Sequence, residues 1–158
     1  MKHGTTLFLK VAVIFIGLPV LALCIFGLHK LAVNPVNPHY AHILYPIIIG
    51  IYLSALPFFF ALYQAFKLLN YIDMGNAFSE LSVEALKKIK YCAAIISALY
   101  VLMLPFVYLL AKKDDAPGLI IIAMIPVFTS LVIAVFAAVL QMLLKEAIEI
   151  KSENDLTV

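Results

Sequence analysis

His39 and His42 stand three residues apart, and Asp114 and Asp115 form an acidic pair elsewhere in the chain. Two imidazoles and a carboxylate can hold a divalent metal, which makes His39, His42 and Asp114 weak candidates for such a site. The histidines lie on a proline-rich stretch, Asn34-Pro35-Val36-Asn37-Pro38-His39-Tyr40-Ala41-His42, not on a helix face. Their spacing therefore does not aim them at one point, and solvated loop histidines explain them equally well. No Ser/His/Asp or Cys/His arrangement and no glycine-rich phosphate loop is visible. The residues lead to the expectation of a protein that is not an enzyme and carries no metal or cofactor.

Four long apolar runs must position whatever chemistry exists: Val11–His29, Ile43–Phe66, Tyr91–Ala111 and Ala116–Leu144. About 20 apolar residues span the hydrocarbon core as a helix, and each run meets that length. The 158 residues are 65% hydrophobic and 13% charged, with a mean hydropathy of +1.10. A soluble domain is nearer half apolar and about 25% charged. The expected fold is all-α, a four-helix transmembrane bundle with spans near 7–30, 43–67, 88–111 and 118–144. Residues 1–144 form the membrane domain and 145–158 a polar tail. Lys2 and Lys10 before an apolar stretch resemble a signal peptide, but the run continues through Leu28, longer than a usual cleaved segment. A retained first helix is expected. Cys24 and Cys92 fall at different depths, too far apart for a disulfide.

All eleven basic residues are lysines. A net charge of +2 without arginine does not point to direct nucleic-acid binding, where bidentate recognition usually uses arginine. Lysines near span ends set orientation. With the amino terminus inside, the inner lysines are Lys2, Lys10, Lys67, Lys87, Lys88, Lys90, Lys145 and Lys151, against Lys30, Lys112 and Lys113 outside. Both termini are thus expected in the cytoplasm of a multi-pass protein of the bacterial inner (cytoplasmic) membrane, with lipids as its first partners. Proline occurs in every span (Pro19, Pro46, Pro57, Pro105, Pro126), either as hinges around a cavity or as ordinary kinks. Ser130, Ala134 and Ala138, with Ala93/Ser97 and Ala94/Ala98, form small-residue stripes that let backbones approach. They predict that the third and fourth spans pack together, with a homodimer face as the alternative. Gln64, Gln141, Ser54, Ser97, Thr129 and Ser130 are expected to bond between helices.

The connection from Asn70 to Lys90 is the longest inner one. Met74-Gly75-Asn76 reads as a turn. Ser82 is the expected N-cap of a short interfacial helix over Val83–Lys90, with Glu84 in its first turn. Lys87 and Lys88 can reach headgroups, while Phe78 and Leu81 can dip into the interface. Asn76-Ala77-Phe78-Ser79, followed by Val83, Leu86 and Lys87-Lys88-Ile89, resembles the YoaS-like bacterial membrane family, a domain of unknown function. The Glu153-Asn154-Asp155-Leu156-Thr157-Val158 ending resembles that family's tail. The resemblance covers four spans, loop and tail. It implies a cytoplasmic helix-turn-helix transcription regulator as a partner. Asn76, Phe78, Ser79, Leu81, Glu84, Lys87, Lys88, Glu153, Asp155 and Leu156 are the residues expected to meet it.

Function classes narrow accordingly. No span carries an ionisable group at its centre, and ion-coupled transport usually needs one there. The first span also lacks the embedded glutamate on which small multidrug exporters depend. The leading expectation is a non-enzymatic membrane regulator. A small transporter or exporter subunit, or an immunity protein against a membrane-active peptide, stands as the alternative.

Overall fold

A computed structural model of the protein describes residues 2–34 and 38–156, and all their side chains except those of residues 2, 3, 32 and 155. Pro35, Val36 and Asn37 of the proline-rich stretch lie outside the described residues, as do the Asp155 side chain, Thr157 and Val158. Four helices follow one another: α1 (Lys2–Val33), α2 (Ala41–Asp73), α3 (Glu80–Lys113) and α4 (Gly118–Leu156). No strand occurs among the described residues. All four helices are long and apolar enough to cross a membrane, and the chain is an all-α, four-span membrane protein.

The helices contain 32, 33, 34 and 39 residues. At 1.5 Å per residue each is about 48 Å or longer, against a hydrocarbon core of about 30 Å. The surplus in α2, α3 and α4 lies largely at one end, where Lys67–Asp73, Glu80–Lys90 and Lys145–Leu156 carry the charges. The apolar residues turned outward along the spans, such as Phe15, Leu56, Leu102 and Phe136, are the surface that lipid solvates.

Packing is serial. α1 rests on α2, α2 on α3 and α3 on α4, and among the described residues α1 does not meet α4. Both outer helices flank the same side of the central pair. Val20 and Cys24 of α1 share a groove with Ile96 and Tyr100 of α3, and Pro126 and Ser130 of α4 share another with the same two residues. The four helices thus form an open horseshoe.

The expected packing of the third on the fourth span is present. Ala93 and Ser97 of α3 are buried, as are Ser130 and Ala134 of α4. Ala137, not Ala138, continues the α4 stripe toward Gln141, because a helix turning 3.6 residues at a time alternates steps of three and four. Ala94 and Ala98 face outward. Ser97 Oγ donates to the Val127 carbonyl at 3.4 Å, and Ser130 Oγ donates to that of Pro126 at 2.6 Å. Each hydroxyl thereby finds a backbone carbonyl as partner inside the span, where water is absent. Cys24 and Cys92 are free thiols.

Between α2 and α3 the approach depends on glycine. A Cβ on Gly50 would run into the Sδ and Cγ of Met103. Gly50→Leu is expected to destabilise the protein by about 1–3 kcal/mol through overpacking. The cost should shrink in a Met103→Ala background, as read by denaturant titration in detergent. Equal costs in both backgrounds would show that the two residues do not share the contact.

Candidate functional site

The connection between α2 and α3 is fastened at each step. The Met74 amide donates to Asn70, that of Gly75 to Ile72, and that of Asn76 to Tyr71 at 2.7 Å. Gly75 makes the turn at φ +78°, a conformation that costs glycine least. The Asn76 carbonyl then accepts two hydroxyls, Ser79 Oγ at 2.6 Å and Ser82 Oγ at 3.1 Å. The backbone amides of Ser82 and Val83 both donate to the Ser79 carbonyl, so the helix begins at Glu80 and Ser79 holds the N-cap position. Ser82 is not the cap expected of it. It lies inside the first turn, fully buried, tying helix to loop. Glu80, not Glu84, is the first-turn acid. Val83–Lys90 is helical but continuous with the third span, with Val83, Ala85 and Leu86 buried. Those residues pack against protein instead of lying flat on headgroups.

This fastening holds apolar side chains outward. Met74, Phe78 and Leu81 are 64%, 55% and 53% exposed. Phe78 also lines a cavity of about 410 Å³, with Leu68 and Ile72 of α2, Leu86 of α3 and Leu140 and Ala147 of α4. Asn76, Phe78, Ser79 and Leu81 therefore form one compact patch. Glu84 and Lys88 are exposed beside Leu81 at helical spacing, while Lys87 is half-buried. Glu153 and Leu156 are exposed, but they follow Ala147 by six and nine residues, about 9 and 14 Å farther along α4. They stand beyond the cavity that Phe78 lines.

One constellation was not singled out from the sequence. Lys10 Nζ and Asp73 Oδ2 form a 2.7 Å ion pair whose side chains are only 19% and 18% exposed. Thr6 Oγ1 donates to the other carboxylate oxygen of Asp73, and Lys10 also sits 5.5 Å from the centre of the Phe66 ring. Two signals were available. An acid at a helix C-terminus opposes the dipole, so Asp73 needs a cation. Thr6 and Lys10, four apart, share one face of α1.

At the opposite end the two turns are clasped. Tyr40 donates its hydroxyl to Asp114 Oδ1 at 2.9 Å, Lys113 Nζ donates to the His39 carbonyl at 2.8 Å, and the Lys113 ammonium sits 4.7 Å from the Tyr40 ring centre. Among the described residues no group of three or more His, Cys, Asp or Glu could hold a metal. His39, His42 and Asp114 do not form such a group, and the Asp114 carboxylate accepts the Tyr40 phenol. That hydrogen bond, and then the negative charge of Asp114, raise the Tyr40 pKa above its ordinary 10.0.

Two outcomes follow from these contacts. Lys10→Ala and Asp73→Ala should each cost about 1–3 kcal/mol, because each removes a charge-assisted hydrogen bond between mostly buried side chains. The double change should cost less than the sum in a denaturation cycle, and strict additivity would remove the pair from the account. For Tyr40, the neutral phenol donates the hydrogen bond, so the clasp is intact below pH 10.0 and is lost as pH rises through the raised value. The phenolate absorbance missing from Tyr40→Phe should titrate above 10.0 in the parent protein. In Asp114→Asn it should move back toward the ordinary value. A missing component at or below the ordinary value would contradict the clasp.

A family profile described as protein of unknown function (DUF2975) matches residues 30–158. The chain is 59% identical to the uncharacterized membrane protein YoaS of Bacillus subtilis (strain 168) over 160 residues, covering all of both chains. No solved structure matches.

Proposed function

The chain belongs to the DUF2975 family of proteins of unknown function, and from that premise we propose a non-enzymatic docking protein of the bacterial cytoplasmic membrane. Its loop and helix ends hold a small soluble helix-turn-helix transcription regulator. The observation that carries this reading is the fastened loop, which keeps Phe78 and Leu81 exposed at the charged ends of the helices. Exposed apolar side chains rimmed by charge, outside the hydrocarbon, are what a protein interface uses. A loop already ordered by its own hydrogen bonds loses little conformational freedom when it binds. Lysine counts support a cytoplasmic location for this face. The regulator as occupant rests on the family resemblance of the loop and tail. No described span carries an acidic or basic group at its centre, where ion-coupled transport usually needs one.

The test is affinity capture of the full-length protein from mild-detergent extracts of its native cell. The control lacks Glu146–Val158 and carries Phe78→Ala and Leu81→Ala. A small DNA-binding protein should be retained by the intact protein and lost from the control at equal membrane abundance. An intact protein recovered in good yield with no soluble partner would overturn the reading.

A further inference from the structure

The seam between α3 and α4 has two flanks. On one, Ile96 and Tyr100 of α3 and Pro126 and Ile133 of α4 share a groove with α2. On the other, Val101 and Tyr108 of α3 share a groove with Ile120 and Met124 of α4. Helical spacing carries this second flank to the charged end of the bundle. Lys90 precedes Val101 by about three turns, and Lys145 follows Ile120 by about seven. Lys87 stands a turn from Lys90, and Gln141 a turn from Lys145, each on the same face as its neighbour. Three ammoniums and one amide therefore gather at the edge of the spans, on the flank away from α2.

Lys90 lacks a counter-charge. Its Nζ donates to Gln141 Oε1 at 3.1 Å and sits 4.8 Å from the Tyr91 ring centre. Both partners are neutral, yet Lys90 is half-buried, and a charge withdrawn from water needs compensation. Among the described residues no carboxylate forms an ion pair with Lys87, Lys90 or Lys145. Glu149 lies a turn beyond Lys145, farther from the span. Depth selects the anion that would supply the missing charge. Lys90 immediately precedes the apolar run Tyr91–Ala111, so its ammonium stands where hydrocarbon gives way to headgroups. Lysine binds phosphate as a point charge, and basic sites between spans take lipid headgroups. We propose that Lys87, Lys90 and Lys145, with Gln141 orienting Lys90, form a binding site for the phosphate of an anionic phospholipid. The site lies on the opposite flank from the cavity under Phe78 and does not depend on the docking reading above.

The full-length protein in mild detergent is titrated with phosphatidylglycerol and, separately, with phosphatidylcholine, and bound lipid is counted by native mass spectrometry. One phosphatidylglycerol should bind in preference to phosphatidylcholine. Lys90→Gln and Lys145→Gln should each weaken it about fivefold, whereas Lys151→Gln, the same change of charge farther along α4, should weaken it less than about twofold. Lys145 is exposed, so its variant carries the test should Lys90→Gln not fold. Excess sn-glycerol 3-phosphate should leave the bound lipid in place. Equal binding of the two lipids overturns the proposal. So does an equal loss from Lys151→Gln, which would make the attraction a diffuse effect of net charge. Displacement by glycerol phosphate would assign the lysines to a soluble phosphate and overturn the lipid site.

Discussion

A backbone amide in hydrocarbon has no water to bond to, and each unsatisfied group there costs several kcal/mol. The rest of the structure follows from that penalty. The chain crosses as uninterrupted helices, and its irregular backbone is confined to short connections. Hydroxyls inside the spans turn back onto backbone carbonyls, as Ser130 does to Pro126. Polar side-chain chemistry is displaced to the helix ends. There, Lys10 meets Asp73, Ser79 and Ser82 meet the Asn76 carbonyl, and Tyr40 meets Asp114.

Within the hydrocarbon, helices gain nothing by hiding apolar surface from lipid, so close packing and hydrogen bonds decide which faces meet. α3 supplies small residues, Ala93 and Ser97, to α4 and receives Gly50 of α2 against Met103. It becomes the centre of the row. α1 meets only α2. Its contacts include Gly17 near Leu62 and Gly27 against the Tyr52 hydroxyl, that hydroxyl on the Cys24 carbonyl at 2.8 Å, and the ion pair at its start. The open side between α1 and α4 results from this unequal distribution of close contacts.

The elements were legible in the sequence because twenty-residue apolar runs have few other meanings, and because serine and alanine four apart mark a helix seam. The α2–α3 loop was legible for a related reason, with Gly75 at a turn and polar residues on both sides. Finer placements were not. Ser79 and Ser82 are both plausible caps by type, and only the Asn76 carbonyl, reached by both hydroxyls, makes Ser82 an interior residue. Ala137 and Ala138 are equivalent in composition, and helix rotation chooses between them. Lys10 counted toward orientation, yet its pairing with Asp73 depends on how α1 lies against α2, which spacing within either helix does not encode. The serial order of the helices was hidden for the same reason. Apolar faces look alike whether they meet protein or lipid.

The central claim is that the face built from Met74 to Leu81 looks into the cytoplasm, where a soluble partner can reach it. Cysteine labelling tests this most directly. Single cysteines at Asn76 and Asp115, in a background lacking Cys24 and Cys92, are exposed to a membrane-impermeant maleimide in intact cells and again after the cells are opened. The account predicts labelling at position 115 in intact cells, and at position 76 only after opening. Labelling of position 76 in intact cells, with position 115 protected, would reverse the topology and contradict it.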